Sequence, residues 1–302
     1  MHLRLLDLDG SLTSQQSLPS AAGWSSVDVV PMRDLAGRLR LWARAATMRQ
    51  ARLRLRQSGT TLTMIGSGDF HHLAVLLIEQ ACEPVTLVHF DNHPDWVRWA
   101  PRWHCGSWVN QALRLPNVVR VVTIGPCSDD LARPAFKGAN LAALGSGRIV
   151  LFPWRHAPSR LWRRMPDGPG HRFLDGHLLW RNLADHSAPE NLAAILAQIE
   201  SGAIWLTIDK DVLAESEALT NWDQGQMPLQ AMLDLIAGIG AKKRIVGADI
   251  CGEYSAPVMS NAFKRIESRI DRPRREADPA GLARNEAVNG RLLRTIHEAA
   301  AC

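Results

Sequence analysis

Cysteine is scarce in this chain and poorly placed for a structural role. The five residues, Cys82, Cys105, Cys127, Cys251 and Cys302, are odd in number and never form a Cys-x-x-Cys pair. That supports neither a disulfide framework nor a zinc finger. A compartment that keeps thiols reduced, the cytoplasm, is the simplest expectation. Long apolar runs are missing as well. None reaches the length of a membrane span, and the opening MHLRLLDLDGSLTSQQ meets Asp7 too early for a signal peptide, so no membrane partner is expected. Charge of one sign is also lacking: 35 basic residues face 30 acidic ones, for a net +5. The arginines are dispersed, without a dense basic stripe, so no nucleic-acid partner is expected. Nothing in the sequence fixes an oligomeric state.

What is present is ordinary globular composition, 46% hydrophobic and 22% charged over 302 residues, enough to bury a core unaided by staples. Strand-like runs occur at Leu3–Leu8, Thr61–Ile65, Val85–Phe90, Val118–Ile124, Ile149–Phe152, Ala203–Ile208 and Arg244–Ile250. They are rich in Val, Ile and Leu without clean alternation, as expected of parallel strands buried on both faces. Helical patterns lie between them, at Met32–Leu55, His72–Ala81, Ser107–Arg114, Pro189–Ser201, Pro228–Ile239 and, last, Leu282–Ala299. The alternation predicts a three-layer α/β/α fold with a mostly parallel sheet. Residues 1–302 read as one domain, with an insertion at 151–188 and a C-terminal tail over 264–302.

Three of these strands end in acids and imidazoles. FDNHPDW supplies Asp91, His93 and Asp95, which share one face of an extended chain. The run Ala203–Ile208 ends in Asp209-Lys210-Asp211, and Thr61–Ile65 leads into GSGDFHH. The carboxyl edge of a parallel sheet is where ligands bind. So many carboxylates at one edge repel one another unless cations are present. Aspartate oxygens and histidine nitrogens suit Mn, Fe, Ni, Co or Zn, and four Asp with two His suffice for two metals.

The three motifs, in this order, resemble the arginase (ureohydrolase) superfamily, whose signatures are a GGDHS-like turn, a DAHxD strand end and an SxDxDxxDP strand end. Here they read GSGDFHHL, FDNHPDW and LTIDKDVL, and the similarity spans Thr61 to Pro257. The extra residue after Asp69 and the missing Asp-Pro look closer to an atypical branch that includes peptide arginases. The resemblance implies an arginase-like fold, two Mn²⁺ ions per chain and hydrolysis of a guanidino group to urea. It implies His71, Asp91, Asp95 and Asp209 at one metal and Asp91, His93, Asp209 and Asp211 at the other. His71 rather than His72 matches the family's histidine. It also implies a catalytic Asp95, a proton-shuttling His104 in His-Cys-Gly, and a guanidinium clamp. Glu253 is expected to be that clamp, with Asp249 as the second acid able to pair with a cationic substrate. His89 is expected to be a buried structural histidine.

Tryptophan is the odd abundance, eleven residues against six Phe and one Tyr, with Trp96, Trp99, Trp103 and Trp108 close together after the DNHPD motif. A rim including Trp99 and Trp103 fits an arginine-containing peptide better than a free amino acid. A small guanidino compound (arginine, agmatine or guanidinobutyrate) is the alternative substrate. Two other readings remain. Leu6-Asp7-Leu8-Asp9-Gly10 mimics the first motif of haloacid-dehalogenase phosphatases but leaves DNHPD and DKD unexplained. A metal-stabilised, non-catalytic binding protein would carry the clusters without turnover.

Overall fold

Runs of Val, Ile and Leu, wholly buried in several strands, build the centre of the molecule. The computed structural model describes residues 1–18, 24, 27–56, 59–270 and 276–301. The chain lays down β1 (His2–Asp7), β2 (Val27–Pro31), β3 (Thr61–Gly66), β4 (Val85–Phe90), β5 (Val118–Ile124) and β6 (Ile149–Phe152). Three short strands follow, β7 (Ser159–Arg160), β8 (His171–Leu174) and β9 (His177–Trp180), and then β10 (Ala203–Asp209) and β11 (Arg244–Cys251). The main sheet has eight parallel strands in the order β2-β1-β3-β11-β10-β4-β5-β6. The three motif-bearing strands, β3, β10 and β4, therefore lie in its middle, with β11 among them.

Helices cover both faces: α1 (Arg33–Leu39), α2 (Ala45–Arg54), α3 (Ala74–Ile78), α4 (Trp108–Ala112), α5 (Leu141–Gly145), α6 (Ala188–Leu196), α7 (Leu229–Gly240), α8 (Ala262–Ile270) and α9 (Pro279–Ala301). Consecutive strand residues point to opposite faces. Leu87 and Val121 accordingly join a core with α1 to α5, whereas Val88 and Val122 join a second core with α6, α7 and α9. This is the expected three-layer α/β/α arrangement. Among the described residues no helix is long and apolar enough to cross a membrane.

Several elements depart from the sequence reading. β2 was not anticipated, because an edge strand exposed at three of its five residues and buried at only one carries no continuous apolar signal. The stretch read as one helix, Met32–Leu55, is two. It breaks after Leu39, where Arg40 turns inward and Leu41 takes a positive φ of 63°. α8 lies where a tail was expected. Within 151–188, β7, β9 and β8 form a separate antiparallel sheet, and α6 then begins at a Ser187–Glu190 capping box. Part of the Arg-rich link, residues 271–275, lies outside the described residues.

Behind the sheet edge two buried ion pairs tie distant segments together. Arg40 bridges Asp9 (2.9 Å) and Asp69 (2.5 Å), so the DLDG acid serves as an anchor for the GDFHH turn. Lys210 pairs with Glu253 and donates to Asn289 of α9 at 2.9 Å, fixing the ends of β10 and β11 to the last helix. Removing one member of such a pair strands the other charge in the interior. Lys210→Ala is expected to cost about 3–5 kcal/mol of unfolding free energy, measured by urea denaturation; a loss below about 1 kcal/mol would refute the anchoring role.

Candidate active site

The acids and imidazoles reach one place by three routes. From β3 the chain enters a tight 3-10 turn, Gly68–Leu73, started by Ser67, whose side chain accepts from the Asp69 amide. At the end of β4 the extended conformation stops at Phe90, and residues 91–95 form a loop in which Asp95 adopts φ 48°. That left-handed backbone is unfavourable for a non-glycine residue, and here it turns the carboxylate back toward the sheet. At the end of β10, Asp209 accepts from the Asp211 amide at 3.0 Å as another 3-10 turn begins. Two glycines make room for Asp209. A side chain at Gly68 would collide with its carboxylate, and Gly252, at φ 92°, passes so close that any Cβ would strike Asp209 and Lys210.

Asp91, Asp95, Asp209 and Asp211 are 1%, 7%, 3% and 1% exposed, so all four charges are withdrawn from water. Nδ1 of His71 lies 3.2 Å from Asp91, 3.4 Å from Asp95 and 3.7 Å from Asp209, buried and without a well-aligned hydrogen bond to any of them. Its other ring nitrogen meets Thr207 Oγ1 at 2.9 Å, and Thr207 donates to Asp249 at 2.8 Å, which orients the ring. On the other side His93 Nδ1 lies 3.0 Å from Asp211 and 3.6 Å from Asp91, while its Nε2 meets Asp223 at 3.0 Å. Metal-binding histidines are commonly held this way, one nitrogen on the ion and the other on an oxygen acceptor. An orphaned, buried imidazole nitrogen aimed into a ring of carboxylates fits a metal ion. The donor atoms gather in three overlapping groups, His71 with His89, Asp91 and Asp95, His71 with Asp209 and Cys251, and His93 with Asp91 and Asp211. With His89 engaged by Thr123 and Cys251 a thiol, the remaining donors fit two.

The electrostatics point the same way. Burial pushes Asp95 up to about 6, helped by the Asp91 charge. Burial also raises Asp209 and, more strongly, Asp211, with the neighbouring aspartates adding to both. Asp91 goes the other way: burial would raise it, but His71, His89 and His93 hold it well below the usual carboxylate range. Burial would lower both histidines, yet the carboxylates around His71 and Asp211 beside His93 raise them well above the ordinary imidazole value. Cys251, 3.1 Å from Asp209, stays a thiol, because burial and that carboxylate raise it far above normal.

His72 sits elsewhere. Its ring is buried, neither nitrogen has a partner, and burial with nearby His104, Lys264 and His71 drives its basicity well down. His89 packs beneath the cluster, 2.9 Å from Asp91 and 3.1 Å from Thr123, as a support for Asp91.

Above the cluster opens a cavity of about 620 Å³. His104 lines it: Nδ1 accepts from the Gly106 amide at 2.9 Å, and Nε2 meets Glu267 Oε1 at 2.9 Å. Glu267, on α8, takes a second hydrogen bond from Trp42 Nε1 at 2.8 Å. Burial would raise its carboxyl, but His104 and Trp42 hold it low. The expectation that Glu253 faces substrate is not met. Gly252 turns it inward, where Lys210, Asn285 and Asn289 surround it. Asp249 also lies below the floor, accepting from Trp205 and Thr207, and meets the site at the back of the His71 ring, through Thr207 and 4.0 Å from Nε2. Trp99 stands at the mouth, 64% exposed, but Trp103 packs half-buried against the core and does not line the cavity. Trp108 reaches the site from the interior, donating to Asp95 at 2.6 Å. Glu267, Asp223 and Thr207 were not singled out from the sequence. Glu267 lies in a stretch without strand or motif signal, and Thr207 is one buried residue in an apolar run.

With the geometry in view, the likenesses to known proteins are specific. Proclavaminate amidino hydrolase from Streptomyces clavuligerus superposes with a TM-score of 0.61 at 14% identity, over 98% of this chain and 91% of its own. Arginase from Bacillus subtilis gives 0.60 at 11% identity, covering 98% of both chains. Formimidoylglutamase from the same species gives 0.62 at 11% identity, over 98% and 86%. The fold is that of the arginase/ureohydrolase superfamily. By sequence, a Thermotoga maritima protein of uncharacterized function is 27% identical over 192 residues, which span 64% of this chain and 58% of that relative. No family model matches the chain.

Because Asp91 lies beside both His71 and His93, Asp91→Ala is expected to abolish binding of both ions, whereas Asp209→Ala, which removes a carboxylate 3.7 Å from His71, should lose at least the ion held there. His71→Ala should lose about one ion per chain, and His72→Ala none, since each site has its own imidazole. Elemental analysis of dialysed, Mn²⁺-loaded protein reads the stoichiometry; two ions retained by the Asp209 variant would overturn the assignment.

Proposed function

We propose that this chain is a two-metal hydrolase that cleaves the guanidino group of an arginine side chain within a peptide, releasing urea and leaving ornithine. The observation that carries the reading is the charge of the cavity. The charge of the four floor aspartates would be balanced by the two divalent ions they hold, and what faces the substrate is the negative charge of Glu267, Asp130 and Asp223 on the walls. Among the described lining residues Lys137 is the sole lysine or arginine, and it is bridged to Asp129 at 3.1 Å. A guanidinium cation is matched here, whereas the α-carboxylate of free arginine meets no uncommitted cation. The superfamily fold supports a guanidino or amidino substrate.

Mn²⁺ suits a ligand set of carboxylates and imidazoles with the nearest cysteine held as a thiol. When bound, the cations would bring a coordinated water close to deprotonation at neutral pH. The chain's own groups do the rest. Glu267, held by His104 and Trp42, orients the guanidinium by charge and hydrogen bonding. Asp95, with one oxygen held by Trp108 at 2.6 Å, takes a proton from the attacking water. His104, whose Nδ1 accepts from Gly106 and whose Nε2–H faces Glu267, holds that carboxylate in place, and the departing amine takes its proton from Asp95, which received it from the water. A small guanidino compound lacking a carboxylate, such as agmatine, meets the same charges and is the second reading. The exposed rings of Trp99 and Phe136 at the mouth favour a longer substrate.

Mn²⁺-loaded protein is expected to release urea from an arginine-containing peptide, which loses one CH₂N₂ unit per arginine converted, and to act weakly on free L-arginine. Mass spectrometry and a urea assay measure both. Glu267→Gln should lower kcat/KM about a hundredfold with metal content intact. Turnover of agmatine without turnover of peptide would return the protein to small substrates.

A further inference from the structure

We infer that an arginine- and aromatic-lined track leads from the cavity mouth onto the insertion, and that it seats an acidic segment of the peptide whose arginine enters the cavity. The inference rests on the peptide reading above. Phe136 lines both the catalytic cavity and a neighbouring hollow of about 280 Å³, whose other walls are Arg133, Arg160 and Trp162. Trp162 in turn lines a groove of about 490 Å³ flanked by Arg98, Arg163 and Arg164. The three hollows are thus joined end to end by shared aromatic rings. A backbone hydrogen bond from Arg160 to Ala132, 2.9 Å, holds β7 against the segment carrying Arg133 and Phe136, so the spacing is built into the fold.

All five arginines are exposed, and among the described residues none forms an ion pair. Some arginines elsewhere on the surface are paired, as in Arg52–Glu79, Arg54–Asp34 and Arg244–Glu83, and others, such as Arg44, Arg49 and Arg172, are exposed singly; what marks the track is five unpaired arginines along one chain of joined hollows. Exposed aromatics concentrate on the same path. Four large aromatic side chains are strongly exposed among the described residues, and Trp99, Phe136 and Trp162 are three of them, at 64%, 73% and 77%. The Trp99 ring lies directly on Gly138, whose φ of 80° and missing Cβ make the seat. A ring already immobilised loses little entropy when a ligand stacks on it.

Charge decides the occupant. The cavity is acidic and the track basic, so the matching ligand carries a cation at one end and anions beside it. A peptide with Asp or Glu flanking its arginine has that polarity. A nucleic acid would have to bring phosphates up to the aspartates of the mouth.

The test is direct binding, which needs no turnover and so fails or succeeds independently of the hydrolase reading. Fluorescein-labelled arginine peptides with glutamate flanks, and the same peptides with glutamine flanks, are titrated with Mn²⁺-loaded protein at low salt and followed by anisotropy. The glutamate peptide should bind at least tenfold tighter, with the advantage shrinking as salt rises. The double variant Arg133→Gln/Arg160→Gln should erase most of that advantage, and for turnover should raise KM far more than it changes kcat. Equal binding of the two peptides would overturn the track. A labelled single-stranded oligonucleotide binding as tightly as the glutamate peptide would overturn the acidic-peptide assignment.

Discussion

Four aspartates buried within a few ångströms of one another are the constraint on which the rest of this molecule depends. Carboxylates out of water repel strongly, and the penalty is met only by protons, by metal ions or by positive side chains. His71 and His93 answer that repulsion, raised by the carboxylates beside them, while burial and their neighbours raise Asp95, Asp209 and Asp211. The lysine and arginine in this region are directed elsewhere. Lys210, placed between two cluster aspartates in the sequence, turns away to Glu253, and Arg40 is taken up by Asp9 and Asp69. The compensating charge left for the cluster is therefore histidine, whose protons a metal can displace.

Around the cluster the supports come from distant segments. Thr207 and Asp249 orient His71, Asp223 orients His93, and Trp108 and His89 hold Asp95 and Asp91. The break between α1 and α2 contributes as well. Cys105 donates its amide to Leu41 and Ala43 donates its own to Trp103, which sets Trp42 beside His104 and lets both reach Glu267. Lys264 closes this wall, donating to the Gly37 and Arg38 carbonyls at the end of α1 and lying over the Trp42 ring. A helix that reads in the sequence as an uninterrupted pattern is thus broken in order to build part of the cavity.

The parallel sheet was legible because its strands are buried on both faces, which forces continuous Val, Ile and Leu runs that no surface element shows. The aspartates were legible for a related reason: a charged residue directly after such a run must emerge at the sheet edge. Less legible was the guanidinium clamp. Asp249 lies near the end of the last strand and Glu253 just beyond it, but one sits under the floor and the other is turned inward by Gly252. Trp103 misled in the same way, since an indole in a loop packs inward as readily as outward.

By itself the sequence determined the strand and helix alternation, the sheet edge and the residues able to hold metal, because local burial and residue chemistry specify these. Tertiary structure alone decided which acids face the cavity. Glu267 stands some 170 residues along the chain from Asp95, and no local pattern couples them; they meet because α8 docks on the broken end of α1. It also decided the polarity of the surface, an acidic cavity joined to a basic track. Net charge sums over the whole chain, whereas the field at a site depends on which charges the fold leaves unpaired and close together.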